Sequence, residues 1–116
     1  MTPAAFLKLA LSLPAAEASS HFGQGDIRVA GKIFASPADR PPGDVAILKL
    51  TADQQSLLCA AEPDLFEPVP GAWGLKGWTR FKVRPADRAT AASALWLAWR
   101  NVAPKRLQRE HPPDRA

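Results

Sequence analysis

With 116 residues, 47% of them apolar, the chain is long enough for one domain with one modest core and too short for two. Cys59 is the only cysteine, which excludes an internal disulfide framework, and no apolar run approaches the ~18 residues that a membrane-spanning helix needs. The net charge of +4 is unevenly divided: residues 1–70 carry five Lys/Arg against eight Asp/Glu, and residues 71–116 carry ten against three.

That asymmetry points to an anionic partner for the basic half, although basic residues also serve solubility. The lone thiol suits a reducing cytoplasm, where the protein is expected. Residues 4–18 have an apolar run followed by small residues, as a signal peptide does. No basic side chain precedes the run and Lys8 interrupts it, so it reads as part of the domain.

Thr2-Pro3 predicts a helix start, with a capping hydroxyl and then proline where a missing N–H costs nothing. Phe6, Leu9, Ala10 and Leu13 follow at helical spacing, and Pro14 ends the helix. Residues 26–29 and 32–36 flank Ala30-Gly31 as a hairpin. Residues 36–44, with three prolines and a glycine, read as an exposed loop. An apolar strand over 44–50 leads into a helix whose start carries a capping box, Thr51 with Gln54. Leu57, Leu58 and Ala61 are its expected inner face, and Glu62-Pro63 its end.

Residues 66–77, rich in Pro, Gly and Trp, read as an irregular connection, and 78–84 as the last strand. A final helix over 87–102 places Ala91, Leu95, Trp99 and Val102 on one stripe. Leu97 falls on the other side of that stripe without an evident reason. Ala103-Pro104 ends or kinks this helix. Pro112-Pro113 and mixed charge make residues 108–116 a disordered tail after a single domain over 1–107. The fold class is therefore α+β, a two-layer sandwich. Its mostly antiparallel sheet has four or five strands, and three helices cover one face and leave the other partly open.

Five stretches together resemble the MmcQ/YjbR family of small bacterial domains. They are His21-Phe22-Gly23, Gly31-Lys32-Ile33-Phe34-Ala35, Leu48-Lys49-Leu50-Thr51, Pro70-Gly71-Ala72-Trp73-Gly74 continuing to Gly77-Trp78, and Ala98-Trp99-Arg100 with Val102-Ala103-Pro104-Lys105. Their order and spacing carry the likeness, which spans residues 4–107. The resemblance implies a two-layer α+β fold similar to frataxin-like and secretion-chaperone-like domains. It also implies a DNA-binding role, and it brings no catalytic residues.

The residues themselves give no catalytic site. Cys59 lies opposite its helix's apolar stripe, with neither histidine close in sequence to activate it. His21, His111 and Cys59 lack metal-ligand spacing, so no metal and no cofactor is expected. Glu17 and Asp26 are near enough to His21 in sequence to join it, but their spacing does not require it. Gly71, Gly74 and Gly77 recur around tryptophan without the Gly-Lys-Ser/Thr of a phosphate loop.

The strongest pattern is Trp78-Thr79-Arg80-Phe81-Lys82-Val83-Arg84. Strand side chains alternate, so Thr79, Phe81 and Val83 pack under the helices while Trp78, Arg80, Lys82 and Arg84 share the other face. An aromatic and three cations offer stacking and phosphate neutralisation. They equally suit a solvated face with Trp78 covering aliphatic stems. Lys76 adds to this group, and Arg100, Lys105, Arg106 and Arg109 form a second cluster, part of which complements a helix dipole. Lys32 and Lys49 are candidates to extend the face, and their register is open.

The reading is a non-enzymatic, nucleic-acid-binding domain, a monomer or weak dimer. It would contact DNA mainly through phosphates, with weak sequence specificity and no membrane association. It depends on Arg80, Lys82 and Arg84 not being dispersed among carboxylates. The alternatives are a protein-interaction module using the open sheet or an edge, and a small-molecule sensor with a pocket around His21, Trp73 and Trp78.

Overall fold

Alternation of buried and accessible side chains decides which side of each strand meets the core. In the computed structural model, which describes residues 1–21, 24–38 and 44–112 (for 19–21 and 24 the backbone only), Ile27, Val29, Phe34, Ala46, Leu48, Phe66, Thr79, Phe81 and Val83 all point inward. The strands are β1 (Ala16–His21), β2 (Gln24–Val29), β3 (Lys32–Ala35), β4 (Val45–Lys49), β5 (Phe66–Pro68) and β6 (Trp78–Lys82), with Val83 just after the last. They form one sheet in the order β1-β2-β3-β4-β6-β5, and every neighbouring pair is antiparallel.

The α+β class and the antiparallel sheet match expectation, with six strands rather than four or five. Both additions are edges. β1 is a polar run, Ala-Glu-Ala-Ser-Ser-His, without apolar alternation. β5 is three residues ending in proline, inside what read as an irregular connection. The β2–β3 turn is the expected one: Ala30 and Gly31 both have positive φ, 50° and 79°, the geometry that lets a two-residue loop follow the strand twist.

The helices are α1 (Pro3–Leu11), α2 (Ala52–Ala61), α3 (Ala72–Leu75), α4 (Arg88–Val102) and α5 (Lys105–Glu110). The expected caps are in place: Thr2 accepts from the Ala5 N–H at 3.0 Å, and Thr51 and Gln54 bond reciprocally at 3.0 and 3.1 Å. α4 packs on β3, β4 and α1, and Phe6 of α1 meets Phe81 at 5.9 Å between ring centroids. Trp99 lies at the centre of this layer, fully buried, and its indole N–H donates to the Pro14 carbonyl at 2.9 Å. Leu97 joins the core periphery, which accounts for its place off the main stripe.

Two expectations are corrected. α2 buries no side chain completely, and Leu57 and Ala61, expected inside, are exposed. The helix instead rests at the sheet edge on Gln54, Gln55, Leu58 and Cys59. Its anchor is polar, the Gln55 amide donating to Gly74 O, Trp78 O and Thr79 Oγ1. The expected tail is also folded further than composition implied. α5 buries Leu107, Gln108 donates to the Ala103 carbonyl, and the His111 ring stands edge-on to Trp99 at 6.2 Å. Residues 113–116 of the expected tail, and 39–43 of the expected loop, lie outside the described residues.

Candidate nucleic-acid interface

The side of the sheet away from α1 and α4 carries the other half of each alternation. Asp26 and Arg28 of β2, Ile33 of β3, Ile47 and Lys49 of β4, Glu67 of β5, and Trp78, Arg80 and Lys82 of β6 are all at least partly accessible there. Cross-strand register sets the neighbours: Lys49 stands opposite Trp78, Ile47 and Glu67 opposite Arg80, and Val45 opposite Lys82.

Two glycines bring a second tryptophan to this face. A Cβ on Gly74 would fall 1.9 Å from the Val69 carbonyl oxygen, and one on Gly77, whose φ is +101°, would fall 2.0 Å from that of Leu50. Only glycine allows the turn after β5 to lie that close to the ends of β5 and β4. The result is Trp73 beside Trp78, edge to face, with ring centroids 6.0 Å apart. Trp73 is 60% exposed and Trp78 half-buried. The Lys49 ammonium lies over the Trp78 ring at 5.1 Å and donates to the Lys76 carbonyl, while Lys76 lies over Trp73 at 5.5 Å. Beside the pair is an open groove of about 360 Å³ lined by Ile33, Ile47, Val69 and both tryptophans, with Asp26 and Ser36 as its polar lining.

The strand cations are less available than the sequence implied. Arg80 pairs with Glu67 at 3.4 Å and Arg84 with Asp44 at 3.0 Å. Arg28 on the same face lies 3.7 Å from Asp26. Of Arg80, Lys82 and Arg84, Lys82 is the one without a carboxylate partner among the described residues. The sequence could not expose this, because Glu67 and Asp44 reach β6 only through strand pairing. Arg84 also lies past the end of β6 rather than within it.

A profile of the YjbR family matches residues 11–101, most of the chain. The chain belongs to the YjbR family. No curated protein matches it. The span matched to YjbR includes the sheet, the tryptophan pair and all but the last residue of α4, and it stops before α5.

The second expected cluster is on the helical layer of this YjbR domain. Arg100 is in the last turn of α4, and Lys105, Arg106 and Arg109 are on α5. It is therefore separate from the tryptophan face. The groove expected around His21, Trp73 and Trp78 contains both tryptophans, while the His21 side chain lies outside the described residues. Burial pushes the Cys59 thiol up, and the Glu67 carboxylate adds to that effect, so the thiol stays protonated at neutral pH. Among the described residues, no three His, Cys, Asp or Glu side chains converge where they could hold a metal ion, and no helix is long and apolar enough to cross a membrane.

Proposed function

We propose that this domain is a non-enzymatic nucleic-acid-binding module that engages single strands on the open face of its sheet. The observation that carries the reading is the Trp73–Trp78 pair, displayed beside an apolar groove with Lys49 and Lys76 over its rings. Every base has a π-face, so two accessible indoles accept successive bases with little regard to sequence. Lys49, Lys76 and Lys82 then meet the phosphates, as ammonium groups do without requiring a fixed geometry. Pairing of Arg80 and Arg84 with carboxylates removes most of the support that the basic strand gave to this reading, which now rests on the aromatic pair as a platform that stacks bases.

Fluorescence anisotropy with labelled oligothymidylate and with duplex of equal length tests this. Dissociation constants of order 10⁻⁴–10⁻⁶ M are expected near physiological salt. Trp73→Ala should lose ~1–3 kcal/mol on the single strand and little on duplex. Its melting point should barely move, because the side chain is mostly in water. Equal losses on both substrates would sink the stacking reading.

A protein partner is the second reading, and one observation favours it. Leu57 on α2 and Leu75 on α3, elements joined by the Gln55–Gly74 hydrogen bond, are large apolar side chains left 71% and 84% exposed. If the parent protein binds neither oligonucleotide at low salt, this reading takes precedence.

A further inference from the structure

We propose that the corner between α4 and α5 is a separate binding site for a phosphate group. Arg100, Lys105 and Arg109, with Gln108 and Pro112, line a depression of about 300 Å³ there. No carboxylate lines it, and among the described residues none of the three cations has a salt-bridge partner. This contrasts with the sheet face, where three of the cations stand beside a carboxylate.

The site is partly preorganised. Arg100 is held by donation from its Nη1 to the His111 carbonyl at 2.9 Å, which leaves its other N–H groups free for a ligand. Gln108 fixes the corner by donating to Ala103 O at 2.8 Å. Lys105 and Arg109 are four residues apart and so share one face of α5. Helix electrostatics explains only part of the cluster. Arg100 and Arg109, in the last turns of their helices, offset carbonyl ends, but Lys105 at the first position of α5 faces the unfavourable end. Three like charges on one depression repel each other until an anion joins them. A phosphate oxygen set suits a fixed guanidinium fork flanked by mobile cations.

The site does not rest on the single-strand reading. It is on the helical layer, and Lys105 and Arg109 lie beyond the residues matched to the family. Its ligand is a phosphate monoester, pyrophosphate or the phosphodiester of a strand.

Backbone amide shifts during titration of the full chain with inorganic pyrophosphate, and separately with a short oligothymidylate, test the proposal. Pyrophosphate should move the amides of Arg100, Lys105, Gln108 and Arg109 saturably, and less so as salt rises. The K105Q/R109Q variant should bind about tenfold more weakly or worse. Both side chains are exposed, so an unchanged amide spectrum elsewhere verifies folding. R106Q is the control, since it removes an exposed α5 charge outside the depression and should bind as the parent does. Saturation by pyrophosphate with no response of these amides to oligothymidylate identifies a free phosphate or phosphoester. Saturation of the same amides by oligothymidylate identifies a strand backbone, and Trp73→Ala should leave that response in place. Shifts spread evenly over Lys49, Lys76 and Lys82, or equal weakening by R106Q and K105Q/R109Q, would overturn the site.

Discussion

Asp87 and Gly77 show how much a single residue can fix and how differently two such residues appear in a sequence. The sequence places Asp87 at the start of the final helix; in the structure it stands just before α4 as its N-cap, its carboxylate accepting from the Thr90 N–H at 2.8 Å. The hydrogen bonds from Thr90 hold the Asp87 carboxyl below the usual aspartate range. The sign follows: the unfolded chain takes up this proton at a higher pH than the folded one. The cap's charged-state contribution is therefore complete above the ordinary aspartate pKa and fades as pH falls through the lowered native value. In Asp87→Asn, melting should be lower than the parent's at neutral pH, and the gap should shrink below about pH 4. A gap independent of pH would mean the carboxylate is not what the helix start uses. Gly77 was legible only as the end of an irregular connection. Its approach to the Leu50 carbonyl is a tertiary contact that no local pattern encodes. Gly77→Ala should destabilise by more than ~1 kcal/mol, since it meets both the positive φ and the close oxygen. Thermal unfolding that matches the parent's would remove that constraint.

Elements were readable where burial leaves a period and obscure where polar contacts hold them. α1, α4, β4 and β6 bury one side along their length, so their apolar spacing shows in the chain. β1 lies at an edge with mostly small and polar residues, and β5 is too short for alternation to register. α2 misled for a related reason. Its leucines suggest a buried stripe, yet of the expected inner face only Leu58 packs against the core, and the polar tie to the sheet is one amide shared among three acceptors. The second half of α5 was hidden by the mixed charge and prolines after residue 107, which suggested disorder, although the helix docks through a single apolar residue. Leu107 is that residue, nearly fully buried in a helix otherwise made of Lys, Arg, Gln and Glu. Leu107→Ala should cost ~2 kcal/mol, at the low end of leucine truncations because the site is peripheral. It should also release the His111–Trp99 contact, so tryptophan emission should change in the folded state. A variant as stable as the parent would return residues 108–112 to the status of a loose tail.

At the scale of the molecule the decisive quantity is where charge is left uncompensated. The excess of cations in residues 71–116 is plain from the sequence, but its availability depends on pairing between distant strands. Glu67 stands opposite Arg80 across β5–β6, and the residue before β4 brings Asp44 to Arg84. Exposed ion pairs of this kind add little stability, about 0–1 kcal/mol each. Their larger effect is on the field that a polyanion meets. Affinity for a single strand should fall with salt at a log–log slope near −0.7 per phosphate contact. Lys82→Ser removes a cation with no carboxylate beside it and should reduce the magnitude of that slope by about 0.7. The double variant Arg80→Ser with Glu67→Ser removes a matched pair, so the slope should stay at the parent's value. Melting should change little in either case, because all three side chains are at least partly solvated. A slope reduced as much by the double variant as by Lys82→Ser would show that Arg80 leaves Glu67 to reach phosphate. The whole basic strand, rather than its unpaired lysine, would then be the part of the sheet that reads the charge of the strand.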